Sequence, residues 1–513
     1  MATDGVAVAN PRIMDLDELA AHLQTVRAGR TVVHCHGVFD LLHIGHIKHF
    51  EAARAFGDLL VVTVTPDRFV NKGPNRPAFD QRLRAEAVVA LSCVDYVAIN
   101  DTPLADRPLR ALRPDIYVKG SEYRDSSADT TGGIAREKQV VDEVGAEMRY
   151  TDDVTFSSST LINQFLSPFP ESTQQYLEGF RSRFGLNDIL GVFDGAAKLK
   201  VLTVGEAIID EYQYCEAVGK SSKEPMLCIK PTSVETFAGG ILAVANHVAA
   251  FTEQVGLCTV LGRQNTWEDF IRQHADPHVA TRFTYRDDAP TIVKRRFIDS
   301  YFFHKLFEVY EMNDAPAAEA DDRAFCNQLE HLLPQFDVVI VIDFGHNMLS
   351  GDAIDLICDK SKFLAVNAQS NAGNVGYHTI SKYPRADFIS LAENEMRLEA
   401  RDRSGDLEPM IDAVSQKLDA RYVAVTRGSK GSLCFDAEDG FAAVPALTTD
   451  VKDRMGAGDT FMSVTALAFA QQAPAELAGF IGNAAGAHAV GQVGHRRALQ
   501  RVPLVKHMQH LLK

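Results

Sequence analysis

Nowhere in the 513 residues is there a C-x-x-C pair; the eight cysteines, at 35, 93, 215, 228, 258, 326, 358 and 434, are scattered. That excludes a disulfide framework and reads as buried thiols in a reducing compartment. No window approaches the eighteen or so apolar residues that a membrane span needs. The opening "MATDGVAVANPRIMDLDELAAHL" carries acidic residues where a signal peptide carries basic ones. There is no short-period repeat and no low-complexity tract. Positive charge is in deficit: the formal net charge of -16 would repel a polyphosphate backbone. A cytoplasmic protein with neither nucleic acid nor membrane as partner is expected. A small phosphorylated ligand stays possible, because a local cradle can be positive inside an acidic protein.

What is present is an ordinary globular balance, 46% hydrophobic and 23% charged. The length exceeds one ordinary core, so at least two domains are expected. After an amphipathic helix at "DLDELAAHLQTVRAG", the β-branched runs "TVVHCHGVFD" and "LLVVTVT" flank the helical pattern "HIKHFEAARAFG". That is a βαβ unit, and "DYVAI", "DIYVKG" and "AEMRYT" supply further strands. Residues 1–165 therefore read as one parallel α/β domain and 166–197 as a helical linker. Residues 198–513 read as a second α/β domain, a doubly wound sheet with strands at "KVLTVGEAII", "VVIVIDF", "FLAVNA", "DFISL" and "YVAVTRG".

Two stretches carry chemistry. In "FDLLHIGHIKHFEAAR", residues 39–54, His43, Gly45 and His46 stand where a strand gives way to a helix. Unpaired amides and partial positive charge make such a helix start an anion site. Two imidazoles there can donate to phosphate oxygens while Gly45 lets the backbone come close. An H-x-x-H is also compatible with core or surface histidines, or with zinc ligands; no cysteine or carboxylate cluster completes a zinc set. His49, one turn on, is simplest as a packing or surface residue. In "DRMGAGDTF", residues 453–461, Gly456, Ala457 and Gly458 precede Asp459. Small residues turn amides toward one anion, and the adjacent carboxylate can take a proton from an attacking hydroxyl. A tight turn before a helix is the structural alternative.

"GVFDLLHIGH" resembles the signature of the cytidylyltransferase-like nucleotidyltransferase superfamily, and the resemblance extends through "NKGPNRP", Arg84, "VDYV", "PDIYVKGSEY" and "FSSSTLI". It implies a Rossmann-like fold and nucleotidyl transfer, with a phosphate of the acceptor attacking the α-phosphorus of a nucleoside triphosphate and pyrophosphate leaving. It further implies catalytic roles for His43 and His46. Phe39, Asp40, Gly45, Lys72, Arg84, Lys119, Ser158 and Ser159 would bind nucleotide or phosphate, with Mg²⁺ bridging the phosphates. Residues 198–513 resemble the PfkB/ribokinase family through "GAGD", "FAGGILAVANHVAAF" and "VTRGSKGS". This second resemblance implies a ribokinase-like fold with Asp459 as the base and Gly456, Ala457 and Gly458 as the anion cradle. Asp210, Gly239, Gly240 and Asn246 would face the sugar, and Thr426, Gly428 and Gly431 the nucleotide. The family's N-x-x-E block survives only as "SLAENEMRL", with Glu395 as the candidate Mg²⁺ residue.

Together the halves are similar to the family of bifunctional heptose-7-phosphate kinase/heptose-1-phosphate adenylyltransferases, whose usual order is kinase first; here it is reversed. The implied product is an ADP-heptose-like nucleotide sugar made from a sugar phosphate with Mg²⁺ and ATP. The alternatives are a CTP-dependent enzyme making a CDP-sugar or CDP-polyol, or a nucleotidyltransferase joined to a kinase-like binding or scaffold domain. A homo-oligomer, with a dimer favoured, goes with both folds.

Overall fold

The β-branched runs build the first sheet. The computed structural model describes residues 10–70, 76–121, 133–151 and 169–512. Its backbone divides after Pro168 into two units. In the first, β1 (Ile13–Met14), β2 (Val32–Gly37), β3 (Leu59–Val64), β4 (Tyr96–Ile99), β5 (Ile116–Gly120) and β6 (Glu147–Thr151) pair in the order β1-β4-β3-β2-β5-β6. Every pair is parallel. Period two divides β2 between two cores. Val33 and Cys35 pack with Phe50 and Ala53 of the helix Ile44–Arg54, while Val32 joins Leu19 and Leu23 of the helix Leu16–Val26. Because β2 has β3 on one side and β5 on the other, the strand order reverses at its carboxyl end, where open α/β sheets place ligands. "FDLLHIGH" begins at that crevice.

The second unit holds β7 (Lys200–Gly205), β8 (Ala207–Lys220), β9 (Leu227–Gly240), β10 (Gln254–Gln264), β11 (Val279–Pro290), β12 (Ile292–Asp299) and β13 (Lys305–Glu311). It continues with β14 (Val338–Asp343), β15 (Leu364–Ala368), β16 (Phe388–Ala392), β17 (Tyr422–Thr426), β18 (Ser432–Asp436) and β19 (Gly440–Val444). A nine-stranded sheet runs β11-β10-β7-β14-β15-β16-β17-β18-β19, parallel up to β17 and antiparallel for the last two. Leu202, Val339, Val341 and Leu364 bury one face under Phe325, Leu329, Ile354, Ile357, Ile411 and Val414 from three helices. The Ala-rich helices Ala457–Phe469 and Ala475–Val490 are themselves almost wholly buried. The doubly wound sheet is as expected.

A second sheet, β13-β12-β8-β9, was not singled out by the sequence reading. The stretch 166–197 also needs correction as a linker. Its helices Glu171–Arg181 and Leu186–Ala196 belong to the second unit: Phe180 stacks on Phe480 at 4.2 Å, and Phe193 lies 4.8 Å from Phe251.

Candidate active sites

At the first crevice the backbone is forced round sharply: Phe39 (φ 50°) and Leu41 (φ 52°) both take left-handed conformations. Non-glycine residues held there cost about 1–3 kcal/mol each and cluster at functional sites. The turn ends at His43, the N-cap of the helix Ile44–Arg54, whose Nδ1 accepts the Gly45 N–H at 3.1 Å. That bond leaves Nε2 as the nitrogen carrying any proton of the neutral ring. His43 and His46 lie with ring centroids 4.0 Å apart, and Phe39 meets His46 edge-on at 5.6 Å. The two expected catalytic imidazoles are thus side by side at a helix N-terminus, with Gly45 between them. His49 Nδ1 is hydrogen-bonded to Thr151 Oγ1 at 2.9 Å.

Other residues of this set have different work. Asp40 accepts the amides of Ala78 (3.0 and 2.9 Å) and Phe79 (3.2 Å) and pairs with Arg76 at 3.4 Å, so it ties down the loop after residue 75. Phe39 is a core aromatic on Phe50. Arg84 requires correction as a phosphate ligand, because its guanidinium is buried and spent on the carbonyls of Val38, Phe79 (3.0 Å) and Thr65 (2.8 Å) and on Asp67 (2.6 Å). Lys119 is likewise turned into the core, paired with Glu137 at 2.9 Å. Lys72, Ser158 and Ser159 lie outside the described residues.

In the second unit a cavity of 1060 Å³ opens at the carboxyl ends of the parallel strands. Asp210, Gly240, Glu395, Thr426, Gly428, Gly431, Gly456, Ala457, Gly458 and Asp459 all line it. Gly456, at φ 75°, caps the helix Ala457–Phe469 and puts Asp459 in its first turn. Burial raises the Asp459 carboxyl above its usual value, against the nearby His495 and the Gln369 amide, whose Nε2 donates to Oδ1 at 2.6 Å. A buried carboxylate held by one amide at the mouth of an amide cradle is suited to accept a hydroxyl proton. Gly239 is packed against Asp210, where a Cβ would stand 2.1 Å from Oδ2. Asn246 needs correction: it is tied to His274 (2.9 Å) and Asp276 (2.8 Å) and lines a separate cavity of 360 Å³.

The family profile described as pfkB family carbohydrate kinase matches residues 198–501, more than half of the chain. This chain belongs to the pfkB family of carbohydrate kinases. A cytidylyltransferase-like profile matches residues 34–165, so that domain precedes the kinase domain. The bifunctional protein HldE of Syntrophotalea carbinolica is 42% identical over 140 residues, 26% of this chain and 27% of that one. HldE of Geobacter metallireducens is 36% identical over 169 residues, 32% of this chain and 33% of that one. The chain thus matches a third or less of the length of these relatives. Phosphofructokinase-2 from Escherichia coli in complex with potassium aligns over 61% of this chain and 100% of its own, with a TM-score of 0.51 at 17% identity, a likeness of fold.

In this pfkB kinase domain the four-stranded sheet adds two cations that no sequence motif marks. Lys294 and Arg296 of β12 enter the cavity beside Asp210, brought there by the register Lys294↔Asp210 between β12 and β8. Arg296 pairs with Asp210 and with Glu308, the latter at 2.8 Å. Lys294 is buried, and its ammonium lies over the rings of Phe344 (5.0 Å) and Tyr310 (5.1 Å). Among the described residues no carboxylate or carbonyl is hydrogen-bonded to it. Burial lowers its pKa, with Asp210 opposing. Asp453 gathers Lys305 Nζ (2.7 Å), Tyr212 Oη (2.7 Å), the Gly494 amide (3.0 Å) and the Met455 amide (3.2 Å). Burial works against its charge, yet these donors hold its carboxyl below the usual range.

Both families generally work on nucleotides carried with Mg²⁺. Among the described residues no group of three or more His, Cys, Asp or Glu side chains is placed to hold a metal ion. Glu395 Oε1 accepts the Ser370 amide at 3.0 Å and Oε2 that of Ala392 at 2.7 Å. Each oxygen keeps a lone pair for a metal-bound water, a donor set that fits Mg²⁺ arriving on phosphates and keeping its waters. No helix among the described residues is long and apolar enough to cross a membrane.

Proposed function

We propose that the chain is a bifunctional nucleotide-sugar synthesis enzyme. The kinase domain phosphorylates a sugar phosphate with ATP at the anomeric hydroxyl, and the N-terminal domain transfers a nucleotidyl group to that new phosphate with release of pyrophosphate. An ADP-heptose-like product is favoured, in keeping with the HldE relatives. The observation that carries the reading is the pairing of two constellations on one chain: His43–Gly45–His46 at a helix N-terminus, and the Gly456–Ala457–Gly458 cradle with Asp459 in a large cavity.

In the kinase step Asp459, oriented by Gln369, takes the proton of the anomeric hydroxyl as its oxygen attacks the terminal phosphorus of ATP. The amides of 456–458 stabilise the charge on the transferring group. Lys294 supports an anionic sugar: its buried ammonium rests on two rings in the cavity wall with no hydrogen-bonded carboxylate among the described residues, so a sugar phosphate would supply a charge-assisted partner. In the second step the imidazoles of His43 and His46 donate to the phosphate oxygens of the five-coordinate phosphorus. In the kinase step Mg²⁺ carried by the ATP would supply charge neutralisation, with Glu395 of the kinase cavity holding one of its waters. A cytoplasmic homodimer completes the proposal; all eight thiols are unpaired, and Val218, Leu227, Val234 and Phe307 are exposed on the four-stranded sheet.

Two variants test the division of labour. Asp459→Asn should lower sugar-dependent ATP consumption by about 10²–10⁴-fold while pyrophosphate release from sugar 1-phosphate persists. His46→Ala should lower pyrophosphate release by about 10²–10³-fold and leave phosphorylation intact. Equal loss of both activities in either variant would sink the two-site reading.

A further inference from the structure

The loop that follows the helix Ala475–Val490 carries His495 into the sugar cavity and pins it there. At one end the Gly494 amide donates to Asp453 Oδ2 at 3.0 Å. At the other the Leu499 amide donates to His247 Nδ1 at 3.0 Å, and His247 Nε2 is in turn bonded to Thr460 Oγ1 at 3.2 Å, one residue from Asp459. The His495 side chain is only 9% exposed and lines both the 1060 Å³ cavity and the smaller one beside it. Its ring rests against Gly456, where a Cβ would stand 2.2 Å from Cε1. The same glycine that shapes the anion cradle therefore makes room for the imidazole.

Across the cavity wall His495 Nε2 is 3.9 Å from Asp210 Oδ2. That is too long for a hydrogen bond between them, but one oxygen can stand about 2.8 Å from both. Asp210 cannot swing away, since Oδ1 is held by Arg296 and Gly239 abuts Oδ2. One atom is an acceptor and the other, in the tautomer protonated at Nε2, a donor, which is the complement of a single hydroxyl group.

We propose that His495 and Asp210 grip one secondary hydroxyl of the sugar between them, so that His495 is a specificity-determining residue of the kinase reaction. The inference rests on the kinase reading of this cavity. A hydroxyl so held donates to the carboxylate and accepts from the imidazole, and a sugar lacking it leaves a buried carboxylate and a buried imidazole facing each other unsatisfied.

The test is steady-state kinetics of the full chain with ATP, Mg²⁺, heptose 7-phosphate and its monodeoxy analogues, comparing wild type with His495→Ala and His495→Gln. His495→Ala should raise the KM for heptose 7-phosphate by between about ten- and a hundredfold with the KM for ATP unchanged, and His495→Gln, which keeps an N–H donor, should recover part of it. For one analogue the penalty seen with wild type should disappear in His495→Ala, the non-additivity expected of groups in contact. Unchanged sugar KM in both variants, or penalties that add for every analogue, would overturn the inference and leave the kinase reading standing. No phosphorylated product from wild type would overturn both.

Discussion

Lys294 shows how a single residue can trade stability for binding. A buried ammonium to which no carboxylate among the described residues is hydrogen-bonded costs free energy in the empty protein, a cost that nearby Asp210 only partly offsets, so Lys294→Met, which keeps the length and the apolar stem, should melt at a higher temperature than wild type. The same variant should raise the KM for heptose 7-phosphate by about tenfold or more; a variant neither more stable nor weaker in sugar-phosphate binding would remove Lys294 from the site. At this scale the sequence was legible where a motif is local. His43, Gly45, His46 and Gly456–Asp459 each lie within a few residues of one strand-to-helix turn, and they meet where expected. It was illegible where partners are distant. Arg84 read as a phosphate ligand, yet three backbone carbonyls and Asp67 converge on it only after folding. Gln369 lies ninety residues from Asp459 in no marked motif, and its amide donates to that carboxylate only in the fold.

At the level of elements, Asp453 clasps two strands of the four-stranded sheet to the loop before Gly456. Lys305 comes from β13 and Tyr212 from β8, while Met455 and Gly494 belong to loops at the cavity. Asp453→Ala removes an acceptor from four donors, and breaking a buried charge cluster of this kind costs about 3 kcal/mol. Thermal unfolding of the second unit should fall accordingly, and sugar phosphorylation should fall with it because the loop carrying His495 shares the clasp. An unchanged melting temperature would contradict that role. The nine-stranded sheet was readable because its central strands are unbroken apolar runs buried on both faces. The four-stranded sheet was not: β8 and β9 are exposed over much of their length, so "EYQYCEAVGK" and "LCIKPTSVET" carry only a weak alternating signal. Helices at 171–196 read as a linker for a related reason. Their apolar stripes name no partner until Phe480 and Phe251 are in place.

On the scale of the whole chain, neutral buried histidines make both units sensitive to acid. Burial lowers His36 in the first unit and His247 in the second from 6.5 to about 3. Below pH 6.5 the unfolded chain takes up protons at these positions and the folded chain does not, so stability falls as pH falls, over the window from about 6.5 to about 3. Each histidine accounts for about 2 kcal/mol lost by pH 5. Denaturant midpoints measured between pH 7.5 and 5 should decline for both units, and His247→Gln should flatten the decline in the second; midpoints independent of pH would contradict the assignment.

The central claim is that one chain performs two successive reactions on one sugar. It is tested most directly by mass spectrometry of the products formed when the wild-type protein is given Mg²⁺, ATP, CTP and heptose 7-phosphate. The account predicts a heptose bisphosphate that appears first, followed by a nucleotide-linked heptose together with an equal amount of pyrophosphate. A nucleotide-linked product formed only when the sugar is supplied already phosphorylated at the anomeric position would contradict it.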